Sequence, residues 1–206
     1  MTTVLLTGFD PFGGDDHNSS WDAVQLVARE WATEDILVTA CLPVEFGRAI
    51  EELIALIDQH SPDLVIATGV AGGRTLVTPE RVAINLRDAR IPDNAGRQPI
   101  DEPVVAGGPD AHFTRLPVAE MVARMNGAGV PATVSLSAGA YVCNDLMYGL
   151  LHALAGTGLP AGFIHVPDRA DLPTVTVSAG LRIAIEVGLE ADTTRKVGRV
   201  RHSGSH

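Results

Sequence analysis

Short apolar runs alternate along this chain with segments in which apolar residues recur every three or four positions. Residues 3–7 (TVLLT) read as a buried strand that stops at Gly8. Residues 20–32 carry Val24, Val27, Ala28 and Trp31 at helical spacing, behind Ser19 and Ser20 as candidate caps. Residues 36–42 (ILVTACL) return to a strand pattern. Residues 47–59 place Ile50, Leu53, Ile54 and Ile57 on one helical face. Three further strand patterns fall at 63–68, 132–136 and 162–166, the last stopped by Pro167. Helical patterns cover 142–155 and 174–189. Strands that alternate with helices predict a mostly parallel sheet with helices on both faces, an α/β/α sandwich in a single domain over 1–195. The polar stretch 196–206 has no apolar period and is expected to be a disordered tail.

Residues 72–117 break the rhythm. Pro79, Pro92, Pro99, Pro103, Pro109 and Pro117 punctuate them, and only 81–86 resembles a strand. So long an irregular insertion is expected to cover a site or to form a contact surface. Its strand-like stretch would leave a pairing edge for a neighbouring subunit.

Composition narrows the partners. The chain has 206 residues and a formal net charge of −10, and its 15 Lys and Arg are scattered. Nucleic acid and anionic membrane surfaces are therefore not expected as partners. No apolar run approaches the roughly 20 residues of a membrane span, and no signal segment is visible at the N-terminus. A cytoplasmic location with reduced thiols follows as the expectation. Cys41 and Cys143 are too few for a disulfide framework. No ligand spacing for a metal and no dinucleotide or phosphate loop is present, so neither a metal nor another cofactor is expected.

In an open parallel sheet the ligand site lies beyond the carboxyl ends of the strands. There the sequence offers Gly8–Gly14 (GFDPFGG), 69–74 (GVAGGR), 137–143 (SAGAYVC) and His165. Cys143 opens a predicted helix, where the dipole and free amides favour a thiolate and an oxyanion. That argument predicts a thiol pKa below the free value of ~8.5. The bland alternative for Cys143 is a small buried hydrophobe, and Cys41, in mid-strand, is expected to be core. Among His17, His60, His112, His152, His165, His202 and His206, only His165 ends a strand beside the Cys143 element. Glu80, Asp88, Asp93 or Asp10 could orient it, and spacing does not choose among them.

The blocks GFDPFGG (8–14), GVAGGRTLVTPERVAINLRDARIPDNAG (69–96), SAGAYVCNDLMYGLLH (137–152) and AGFIHVP (161–167) resemble, in order, those of the pyrrolidone-carboxylate peptidases, the pyroglutamyl peptidase I family of cysteine peptidases. The resemblance spans residues 1–190. It implies a triad of Glu80, Cys143 and His165, no metal, an α/β/α fold, pyroglutamyl peptides as substrates and commonly a cytoplasmic homotetramer. It assigns Phe9 and Phe12 to an apolar pocket with Tyr141 and Val142 beside Cys143, and places Arg90 near that cysteine. Three positions depart from the family pattern. Val70 stands where Gln is common, Ser19 where Pro is common after Asn18, and Tyr141 where Phe is usual. These leave two rivals: a cysteine amidohydrolase for another N-blocked or cyclic amide, and a non-catalytic binding protein on the same scaffold.

Overall fold

The computed structural model describes residues 1–202, with side chains described through residue 191. Five strands form the main sheet in the order β2-β1-β3-β7-β4. They are β1 (Thr3–Phe9), β2 (Ile36–Leu42), β3 (Leu64–Val70), β4 (Thr78–Pro79) and β7 (Ala161–Val166). All neighbouring pairs are parallel except β4 with β7. A second ribbon pairs β5 (Val82–Ile84) with β6 (Ala111–Phe113) antiparallel. The helices are α1 (Ser19–Arg29), α2 (Arg48–His60), α3 (Val118–Gly127), α4 (Val142–Ala153) and α5 (Thr174–His202).

Side chains alternate across each strand, so the sheet builds two cores. Leu5, Phe9, Val65, Ala67, Ala161 and Phe163 face one way, against Leu53 and Ile57 of α2 and Leu146 and Leu150 of α4. Val4, Leu6, Ile66, Ile164 and Val166 face the other way, against α1, α3 and α5. This is the expected three-layer sandwich. The strand order reverses around β1 and β3, so a crevice opens past their carboxyl ends.

Several local expectations change. The cap of α1 is Asn18, not Ser19 or Ser20: its Oδ1 accepts from the Ser20 backbone N–H at 3.0 Å and from Ser20 Oγ at 2.7 Å. Ser20 Oγ is thereby aimed at the end of β1, where it accepts from the Phe9 N–H at 3.1 Å. The strand expected at 132–136 is reduced to two isolated bridges, Val77 with Ala132 and Glu80 with Ser135. Its partner, the 77–81 segment, contains Pro79, which offers no N–H, so the ladder cannot run unbroken. Helix α3 has no counterpart among the sequence-predicted elements. It buries Val118, Met121 and Met125, a single narrow stripe in a short helix. Helix α5 continues past 189 to His202, and residues 203–206 of the expected tail lie outside the described residues.

Candidate active site

The edge strand β4 does more than finish the sheet. Thr78 pairs with His165 and Pro79 with Ile164, and the Glu80 N–H donates to the Phe163 carbonyl at 2.9 Å. In an antiparallel pair, opposite residues share a face and side chains two apart point the same way. Thr78, Glu80, Phe163 and His165 therefore project to the α4 side together. Glu80 and His165 meet there, with Nδ1 2.8 Å from Oε1. Glu80 is fully buried and His165 nearly so.

On the other flank of β7, His165 is in register with Gly69 of β3. Gly69 has no side chain, and the space is used: a Cβ there would stand 2.9 Å from Cys143 Sγ, 2.9 Å from Phe163 Cζ and 3.3 Å from Phe9 Cδ2. The thiol thus sits over Gly69, one strand from the imidazole. Cys143 belongs to the first turn of α4, and Tyr141 at its N-cap makes no side-chain capping bond. The first-turn amides are left with donors to offer beside the sulfur.

The residues after Cys143 fix that turn in place. Asn144 Oδ1 accepts from the Ile84 N–H at 3.0 Å, and its Nδ2 donates to the carbonyls of Ile84 and Leu86, each at 2.9 Å. Asp145 accepts from the Gly47 N–H at 2.9 Å and from Arg87 Nε at 2.5 Å. The irregular insertion is therefore laid across the start of α4. It is tied further by the Asp88 N–H to the Ala140 carbonyl and by Asn94 Nδ2 to the Pro11 carbonyl, both at 2.9 Å. No sequence pattern distinguished Asn144 or Asp145, because their partners are backbone atoms or a residue far along the chain.

A small apolar cleft opens beside the sulfur. Phe9, Phe12, Asn18, Val44, Val70, Tyr141, Val142 and Cys143 line it. Phe9 and Val142 are also buried in the core, whereas Phe12 and Tyr141 are partly buried and pack against it. Tyr141 meets Phe46 edge to face, and its hydroxyl donates to the Pro92 carbonyl at 3.0 Å. The extra hydroxyl is thus committed to the insertion. Val70 does line the cleft. Arg90 is not among the residues that line it and is exposed on its loop, whereas Arg74 contacts Glu80 directly.

Of the four carboxylates open on sequence grounds, Glu80 is the one that reaches His165. Asp93 organises its own loop by accepting from the N–H groups of Phe46, Ala95 and Arg97. Asp10 Oδ1 accepts from Cys41 Sγ, and Asp88 is exposed. Cys41, expected as core, is only partly buried. His112 and His152 face each other at 3.1 Å at the far end of α4 and take no part.

The protonation pattern corrects the expected thiolate. Burial pushes the Cys143 thiol up to about 12, and the Glu80 charge adds to this against the opposing pull of Arg74 and of the Cys143 amide. The sequence argument counted the dipole and left out desolvation, which is the larger effect here. Burial also holds the His165 imidazole below its ordinary value, opposed by Glu80. Burial would raise the Glu80 carboxyl, but hydrogen bonds and charge from His165, with Ser135 and Arg74, hold it below its ordinary value. At neutral pH the site therefore rests as thiol, neutral imidazole and carboxylate. An ionised carboxylate only accepts, so Nδ1 carries the ring proton and Nε2 keeps a lone pair.

A family model for pyroglutamyl peptidase matches residues 2–190. The chain belongs to the pyroglutamyl peptidase family. It is a cysteine peptidase whose reaction is removal of an N-terminal pyroglutamyl residue from peptides. Pyrrolidone-carboxylate peptidase 1 of Ralstonia nicotianae is 48% identical over 216 residues, covering 99% of this chain and 98% of its own. The pyrrolidone-carboxylate peptidase of Streptomyces coelicolor is 52% identical over 194 residues, covering 88% and 89%. Among solved structures, pyroglutamyl peptidase I of Bacillus amyloliquefaciens superposes with a TM-score of 0.88 at 39% identity, over 93% of this chain and 98% of that one. The pyrrolidone carboxyl peptidase of Thermococcus litoralis gives 0.86 at 36% identity, over 92% and 94%. Both the family and the fold expected from the sequence are met by this member of the pyroglutamyl peptidases.

Proposed function

We propose that Cys143 is the nucleophile of this pyroglutamyl peptidase, His165 its general base and acid, and Glu80 the group that orients His165. The observation that carries the reading is the Glu80–His165 contact at 2.8 Å, on strands that put His165 in register with the glycine beneath Cys143 Sγ. The reaction starts from neutral partners. As Sγ attacks the pyroglutamyl carbonyl, its proton passes to His165 Nε2 and an S–C bond forms. First-turn amides of α4 hold the oxyanion. Collapse breaks the C–N bond, and Nε2–H gives its proton to the leaving amine. Water then loses a proton to Nε2 and attacks the thioester, and the C–S bond breaks with the thiol restored. Glu80 keeps the proton on Nδ1 throughout, so Nε2 is the nitrogen that cycles.

Substrate choice follows from the cleft. A pyroglutamyl residue is a flat, uncharged lactam without a free amine, and it suits walls of Phe9, Phe12, Tyr141 and Val142. Val70 in the same wall favours one second reading, a preference for a different cyclic or N-blocked amide. The compartment we propose is the cytoplasm, and the assembly a homotetramer, as the family resemblance implies. The exposed Phe113 on the β5–β6 ribbon supports a subunit contact there, and sedimentation as a strict monomer at micromolar concentration would remove it.

Hydrolysis of pyroglutamyl-naphthylamide, set against other N-blocked amides, tests the substrate. Cys143→Ala should lower kcat by about 10⁵-fold or more, whereas Cys41→Ala should stay within a small factor of wild type. Inactivity of Cys41→Ala alone would overturn the assignment of the nucleophile.

A further inference from the structure

We propose that Arg74 is a positioning residue for the Glu80–His165 pair: its guanidinium pins the carboxylate oxygen that receives the imidazole N–H. This rests on the reading of the site given above. Arg74 Nη1 donates to Glu80 Oε1 at 2.7 Å, the same oxygen that faces His165 Nδ1 at 2.8 Å. The same Nη1 lies 2.6 Å from Thr78 Oγ1, and Nη2 donates to the Ser137 carbonyl at 3.0 Å. One side chain thus joins the loop after β3, the edge strand β4 and the loop that leads into α4.

The local sequence explains how Arg74 arrives there. Beyond β3 the chain folds back through a tight turn, with the Arg74 N–H on the Ala71 carbonyl at 3.2 Å. Gly73 adopts a φ of 80°, which side chains with a Cβ avoid. The turn aims residue 74 back along β4 at residue 80.

The chemistry needs such a group. Glu80 is fully buried, and its imidazole partner rests neutral. Without Arg74 the buried carboxylate would keep the imidazole N–H but lose its guanidinium countercharge, a loss that proteins relieve by protonation or rearrangement. Either response removes the acceptor that keeps the proton on Nδ1, and His165 could then turn or change tautomer. A guanidinium also offers several donors in a fixed plane, so it can hold an oxygen in place as well as balance its charge. Roughly a third of the Arg74 side chain is exposed while Glu80 is not, so the outer face of the guanidinium stays open to solvent.

The test uses the full chain with pyroglutamyl-naphthylamide from pH 5 to pH 9, with active sites counted by alkylation. Arg74→Met should lower kcat at least tenfold, with KM within about threefold, because what is lost is alignment of the general base. Its acidic limb should move to higher pH. Arg74→Lys should fall between Arg74→Met and wild type, and added guanidinium ion should restore part of the activity of Arg74→Met alone. A folded Arg74→Met with wild-type kcat and an unmoved acidic limb would overturn the proposal. So would a loss that neither Lys nor guanidinium relieves, with the limb unmoved. If Arg74→Met does not fold, Arg74→Gln takes its place, since it keeps a donor but not the charge; an unmoved limb there is equally fatal. Wild-type turnover, and its loss in Cys143→Ala, checks the underlying site separately.

Discussion

Gly69→Ala puts the architecture of the site to its hardest test with a single methyl group. The new Cβ would stand 2.9 Å from Cys143 Sγ and 2.9 Å from Phe163 Cζ. Ordinary contact needs roughly 3.6 Å, so both contacts must lengthen by about 0.7 Å. Phe163 is fully buried, with Phe9 and His165 against its ring, and has nowhere to go. Cys143 has open cleft on one side, so the sulfur gives way, and relief of the Phe163 contact falls to a shift of the β3 backbone at residue 69. Overpacking of this size costs about 1–3 kcal/mol, which urea unfolding will read. A displacement approaching 1 Å at the proposed nucleophile costs about 100-fold in kcat/KM, far more than the stability loss accounts for in a folded sample. The assay is steady-state hydrolysis of pyroglutamyl-naphthylamide per folded molecule, beside the unfolding curve of the same preparation. Unchanged kcat/KM with unchanged stability would mean that the thiol does not lie over Gly69, and the proposed triad geometry would fall with it.

Two further outcomes follow from the same contacts. Asn144→Ala should cost about 3 kcal/mol in urea unfolding, because it removes three hydrogen bonds that a buried side chain makes to the backbone of Ile84 and Leu86; a cost below 1 kcal/mol would show that the insertion is held elsewhere. The second outcome concerns pH. The folded His165 value is depressed, so the unfolded chain binds more protons below ~6.5 and stability must fall as pH drops through that region, with Glu80 adding to the fall below ~4.3. His165→Gln should flatten the urea midpoint between pH 6.5 and pH 5, and an unaltered slope would contradict a buried neutral imidazole.

The sandwich was legible because its central strands are short, continuously apolar runs, its longer helices carry a 3.6-residue period, and Pro43 and Pro167 stand just past β2 and β7. Helix α3 escaped because three buried residues in a short segment make little pattern. The 132–136 strand pattern was real as an apolar run, but its partner carries Pro79 and pairing came out broken. At the site, Cys143 and His165 stood out as candidates by their position in the fold. Glu80 did not, since its role depends on β4 turning antiparallel beside β7, and no local signal encodes a two-residue edge strand; only the family likeness selected it. That likeness also pointed to Arg90, which the structure leaves exposed, while Arg74 went unnoticed. Its signal was present in retrospect: a Gly-Gly turn followed by a cation and, six residues on, a carboxylate. The thiol pKa is pushed up by burial, which is a property of the assembled site and not of a helix start.

The anchoring of the insertion by Asn144 and Asp145 bears on how this molecule fails. Cys143 immediately precedes the two side chains that hold the cover, so the cover cannot lift and leave the turn of the proposed nucleophile undisturbed. Local opening and loss of function become one event. Heat should inactivate the protein by releasing residues 84–88 from α4, below the temperature at which the sheet melts, and the loss should reverse on cooling while the sheet survives. The exchange rates of the Ile84 and Asp88 amides, which donate to Asn144 Oδ1 and to the Ala140 carbonyl, then count the fraction of molecules able to turn over at any moment.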